Sequence, residues 1–193
     1  MSGIDLSPEA RKAAEGYTNQ LIQHLRVAVG ARQANPQDFL FRSRLALEAS
    51  VLLLLTVAKD QPYLPGENER GLQALIQRLL RTAKPPPEVL RTLNTARDLT
   101  NPSAHITTTN PDHAMDAANA RPALANWFRW LAVDSAAAPF LRTYRGSLDP
   151  IIRSLTPPPS LNDVSSPPSP PHAPPVRDPP PSVAVTPPTT PDP

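Results

Sequence analysis

An arginine, an asparagine and a histidine recur at four-residue steps in the stretch Arg97-Asp98-Leu99-Thr100-Asn101-Pro102-Ser103-Ala104-His105. A helix places residues i and i+4 on one face, so Arg97 and Asn101 point the same way. Pro102 stops that helix. A new turn opening at Asn101-Pro102 presents His105 beside them, because asparagine caps helices well and proline suits the first helical position. A cation, an amide and an imidazole on one face suit either an RNA-phosphate site or a buried polar lock between helices.

The lock reading has a named counterpart. Leu45, Glu48, Leu52 and Leu55 share one helical face, which puts the Glu48 carboxylate in an apolar stripe. A carboxylate buried there needs a counter-charge, or it takes up a proton instead. Arg97 is the expected cross-helix partner, and Arg44, one turn before Glu48, is the alternative. Asn101 and His105 then satisfy backbone groups at the helix break. On this reading, loss of Arg97 strands a buried carboxylate at a cost of about 3–5 kcal/mol.

Other polar clusters carry less chemistry. His105, Asp112, His113 and Asp116 lie close in sequence, but the two histidines straddle a loop and lack the i, i+4 geometry of a helical metal site, so no metal site is expected. Asp112 and Asp116 fit the acidic preference of a helix N-terminus. Trp127 and Trp130, spaced i, i+3, read as core and interface anchors. With no cysteine in the chain, thiolate nucleophiles, disulfides and cysteine-type zinc sites are excluded. There is no glycine-rich phosphate loop and no Ser/His/Asp arrangement.

The elements that must position these residues are all helical. Ser7-Pro8-Glu9 starts a helix, and Tyr17, Leu21, Ile22, Leu25, Ala28 and Val29 trace its apolar stripe to about Ala31. Asn35-Pro36-Gln37-Asp38 starts a second helix reaching about Lys59, apolar almost all round from Leu45 to Ala58, which belongs at the centre of a bundle. A third is expected from Glu67 to Thr82, with Leu72, Leu75, Ile76, Leu79 and Leu80 inward. Pro87-Glu88 opens a fourth, running through Leu93 and Ala96 to Arg97. Asn110-Pro111-Asp112 opens a fifth, carrying Met115, Ala118, Trp127, Phe128 and Leu131, which Pro122 should kink or split. A short helix around Leu148 to Leu155 closes the domain.

Proline sets the boundary. Of 28 prolines, 16 lie from Pro157 onward, in a segment without any aromatic residue. Such a segment buries too little apolar surface to offset its ordering entropy, so residues 156–193 are expected to be a disordered proline-rich tail or linker. Its Pro167-Pro168-Ser169-Pro170 stretch contains a Pro-x-x-Pro spacing, of the kind that aromatic grooves bind. Residues 1–155 form the expected helical domain, with 18 Lys and Arg against 14 Asp and Glu. This mild excess permits nucleic-acid contact without a basic stripe to direct it. The N-terminus lacks signal-peptide blocks, and the longest uncharged apolar run, Ala49 to Ala58, is about half of a bilayer span. A cytoplasmic protein without membrane contact is expected.

Three blocks of this chain resemble the HEPN superfamily of helical domains, in particular bacterial HEPN-like domains of uncharacterised role. Arg44-Leu45-Ala46-Leu47-Glu48 followed by Leu52 to Leu55 is similar to that family's Arg-x-x-Leu-Glu helix. Leu72-Gln73-Ala74-Leu75-Ile76 is similar to its third-helix Leu-x-x-Leu-Ile stretch, and Arg97 to His105 resembles its Arg-x-x-Gly-Asn-x-x-Ala-His block. The match covers roughly residues 38–132. The resemblance implies an all-α, HEPN-like helical bundle of about five helices.

Catalytic members of the superfamily are metal-independent ribonucleases, usually with two copies facing each other. In them an arginine and a histidine, separated by roughly four to six residues, stabilise phosphate charge and move the proton of a ribose 2′-hydroxyl. Counting back from His105, those positions hold Thr100, Leu99 and Asp98, and Arg97 has seven intervening residues. The resemblance therefore implies a non-catalytic binding or interaction module without a cofactor, such as a sensor or adaptor in bacterial stress response or defence. Its expected partner is another protein or a second copy of the chain, with RNA or a nucleotide as the other candidate. The alternative is a metal-independent ribonuclease using His105, Arg97 and Asn101.

Overall fold

The computed structural model describes residues 4–31, 34–66, 71–101 and 112–156. His105, residues 67–70 of the expected third helix and the proline-rich segment 157–193 fall outside them. The described chain is helical and contains no strand. In chain order it forms α1 (Pro8–Ala31), α2 (Pro36–Lys59), α3 (Leu72–Thr82), α4 (Pro87–Leu99), α5 (His113–Val133), a four-residue α6 (Ala138–Leu141), a 3₁₀ turn (Arg142–Tyr144) and α7 (Arg145–Leu155). Six of these helices are 11 residues or longer, one more than the expected five; the sixth is the short closing helix.

Local chemistry sets the ends of these helices. The Ser7 hydroxyl accepts from the Ala10 amide at the start of α1, and the Asn35 side chain accepts from the Asp38 amide at the start of α2. Asp60 ends α2 in the left-handed conformation, φ 51°, which aspartate tolerates better than most residues. Its carboxylate then accepts from the Ser7 amide at 2.7 Å, which ties the C-terminus of α2 to the N-terminus of α1. Gly71 precedes α3 at φ 97°, a backbone setting that side chains other than glycine rarely adopt. At the far end, Thr156 leaves α7 with ψ 125°, the extended state that the following Pro157 imposes on its neighbour.

Helix α2 is the axis of the bundle. It packs against α1, α3, α4 and α5, and its run from Leu53 to Leu55 is wholly buried. Helix α1 lies along it with Ala10, Ala14, Leu21, Leu25 and Ala28 inward; small alanines at three of these positions let the two backbones approach. Tyr17 keeps its ring half-buried and donates its hydroxyl to the Tyr63 carbonyl at 2.7 Å.

One expectation for α5 changes, and one of two alternatives for Pro122 falls away. Its inward residues in the first half are Ala117, Ala120 and Ala123, while Met115 is 57% exposed and Ala118 is on the solvent side. The helix must lie close to α4, and a face of alanines allows that where a methionine would hold the helices apart. Pro122 also does not split α5, which runs as one helix from His113 to Val133. Helix α7 crosses α5 and closes the core with Leu148, Ile151, Ile152 and Leu155.

Candidate functional site

The polar cluster that the sequence singles out sits where the first half of α2 meets the C-terminal end of α4. Arg44 and Glu48 are one turn apart on α2, and Arg44 Nε lies 3.4 Å from Glu48 Oε1. The same guanidinium reaches across to α4's end, where Arg44 Nη1 donates to Asn101 Oδ1 at 3.4 Å. Arg44 is therefore the cation that faces Glu48. It takes the place expected of Arg97 and joins Glu48 to Asn101.

Arg97 is engaged elsewhere. Its Nε donates to Asp98 Oδ1 at 2.8 Å, and its Nη2 meets the same carboxylate oxygen. The Arg97 side chain is 21% exposed and that of Asp98 63%, so the pair opens to solvent on the Asp98 side. The reason is rotational. A helix residue advances 100° per position, and the α4 positions that turn inward are Leu93, Ala96 and the following Thr100, which leaves Arg97 to the side. Thr100 is buried, and its hydroxyl donates to the Ala96 carbonyl at 2.8 Å.

The electrostatics follow from burial. Glu48 keeps 28% of its side chain exposed and Arg44 20%. Burial raises the Glu48 pKa above its ordinary value, and Arg44 pulls it back in part. Removal from water is the stronger of the two effects, so the pair is a structural contact held at some electrostatic cost. Of the four residues expected to form the cluster, Glu48 and Asn101 come together through Arg44, Arg97 pairs with its own neighbour, and His105 lies outside the described residues.

One polar contact in the core had no spacing to announce it. Trp127 is wholly buried, and its Nε1 donates to Ser50 Oγ at 2.9 Å, while the Ser50 hydroxyl donates to the Leu47 carbonyl at 2.7 Å. A buried indole N–H requires an acceptor, and Ser50 is a small polar residue just ahead of the apolar run of α2. Phe128 is buried as well, and Trp130, its ring centroid 5.2 Å from that of Trp127, stays half-buried. Asp112 caps α5 by accepting from the Met115 amide at 3.0 Å, which accounts for an acid at that position. Among the described residues no three His, Asp or Glu side chains gather as metal ligands, and no helix is long and apolar enough to cross a membrane.

Fold and cluster together define an all-helical bundle with a polar seam between α2 and α4. Compared with protein-family models, with curated proteins and with solved structures, the chain matches none.

Proposed function

We propose that this chain is a non-catalytic, HEPN-like interaction module, an adaptor or sensor whose Arg44–Glu48–Asn101 seam holds the bundle together. The observation that carries the proposal is the hold of Asp98 on Arg97. A ribonuclease of this type needs a guanidinium open to a phosphate. Here a carboxylate already occupies two of its N–H donors, and the same carboxylate repels an incoming phosphate. The setting, bacterial stress response or defence, rests on the family resemblance.

The test is cleavage of a fluorescent single-stranded RNA by the full chain in excess chelator. No cleavage is expected from wild type. Cleavage that is abolished in a folded His105→Ala variant and in Arg97→Ala would assign the chain to the metal-independent ribonucleases instead. Asp98→Ala sharpens the comparison, because releasing Arg97 should raise any activity that depends on it.

A further inference from the structure

Away from the polar seam, the C-terminal turns of α5 and the outer face of α7 enclose a groove of about 260 Å³, lined by Arg129, Ala132, Val133, Asp149, Ile152 and Arg153. Its floor is apolar. Ala132 and Ile152 are buried beneath it, and Val133, a β-branched apolar residue, is 52% exposed. Val133 thus offers apolar surface on the rim that carries the two arginines.

The two arginines are held but not neutralised. Arg129 donates from Nη1 to Asn126 Oδ1 at 3.3 Å and from Nη2 to Thr156 Oγ1 at 3.4 Å. Arg153 donates from Nε to the Asp149 carbonyl at 3.3 Å. These acceptors are neutral, and among the described residues neither guanidinium is paired with a carboxylate. A guanidinium carries five N–H donors, so both retain several, in a fork that suits a carboxylate. Arg97 and Arg42, by contrast, are each paired with a carboxylate, of Asp98 and Asp38.

We propose that this groove docks an acidic segment of a protein partner, one that sets an apolar side chain on Val133 and Ile152 and a carboxylate against Arg129 and Arg153. The proposal rests on the interaction-module reading and names the chemistry of its partner. Volume and charge select this occupant. A space of 260 Å³ falls below the ~300–1,000 Å³ typical of pockets for small molecules and cofactors, and it accommodates one or two side chains. Two cations flanking an apolar floor complement an acid next to an apolar residue. Two arginines less Asp149 leave the rim a net charge of +1, which one carboxylate matches and the successive charges of a phosphate backbone do not.

The experiment uses the full chain, isotopically labelled, with the capped peptide acetyl-Gly-Leu-Asp-Glu-Gly-amide followed by amide chemical shifts. Shifts should cluster at Arg129, Val133, Asp149, Ile152 and Arg153. The matched Leu-Asn-Gln peptide should bind about tenfold more weakly. Both arginines are exposed, so Arg129→Glu/Arg153→Glu should leave the circular dichroism unchanged and abolish the shifts. Val133→Ser, which removes apolar surface and adds no charge, should also weaken binding, which a purely ionic contact would not show. The proposal is overturned by equal binding of both peptides, by shifts elsewhere, by inorganic phosphate or an oligouridine moving the same amides more than the peptide does, or by concentration-dependent shifts there without peptide, which would assign the face to a second copy. A ribonuclease result in the cleavage assay refutes the module reading but leaves this groove measurement standing, so the two can fail separately.

Discussion

Exchanging the partner of Glu48 changes which arginine matters for stability, and a double-mutant cycle measures it. Glu48 and Arg44 are 3.4 Å apart, with 28% and 20% of their side chains exposed. Fully exposed pairs contribute about 0–1 kcal/mol, and breaking a fully buried pair costs about 3–5 kcal/mol. With roughly three-quarters of each side chain removed from water, Arg44→Ala should cost about 1–2 kcal/mol, part of it from the lost aliphatic stem and the lost Asn101 contact. At a urea m-value of ~2 kcal/mol/M, the midpoint of the far-ultraviolet transition should fall by about 0.5–1 M without a change in slope. The cycle Arg44→Ala, Glu48→Ala and the double variant should return a coupling of about 0.5–1 kcal/mol. The cycle of Arg97→Ala with Glu48→Ala should return zero within error, since Arg97 is bound to Asp98. An Arg97–Glu48 coupling equal to or larger than that of Arg44 and Glu48 would refute the assignment and restore the cross-helix pair.

Ser50→Ala removes the hydroxyl that accepts from the buried Trp127 N–H and should destabilise the domain by about 1–3 kcal/mol in urea titration, while Ser50→Ala/Trp127→Phe should cost less than the two single changes added together. Glu48 sets a pH dependence of known sign. Its folded pKa is raised above the ordinary 4.5, so the folded state binds more protons than the unfolded one, and Glu48's contribution to stability is lost as pH rises from 4.5 through the folded value. Glu48→Gln should remove that slope and Arg44→Ala should steepen it, read from urea midpoints at acid to neutral pH. His24, held low by burial and by Arg42, slopes the other way below 6.5, so the effect is read as a difference between variants.

The helices themselves were written in the sequence. Their starts at Pro8, Pro36 and Pro87, and the stop before Pro157, depend on proline and on neighbouring caps, and these act within one turn of chain. The central place of α2 was legible for a similar reason, because a helix without a polar face has no stable position at a surface. Helical spacing picked out Glu48, Asn101 and Arg44, yet spacing could not say which arginine meets Glu48. That choice depends on the rotation of α4 against α2, which Leu93, Ala96 and Thr100 set by burying themselves, and it turns Arg97 toward Asp98. The inward face of α5 was likewise decided in space, since the closeness of α4 favours Ala117 and Ala120 over Met115. Ser50 with Trp127, and Arg129 with Arg153, are 77 and 24 residues apart along the chain. Local sequence carries the periodicity of each helix, but it holds no record of the angle at which two helices cross, and that angle alone brings such residues together.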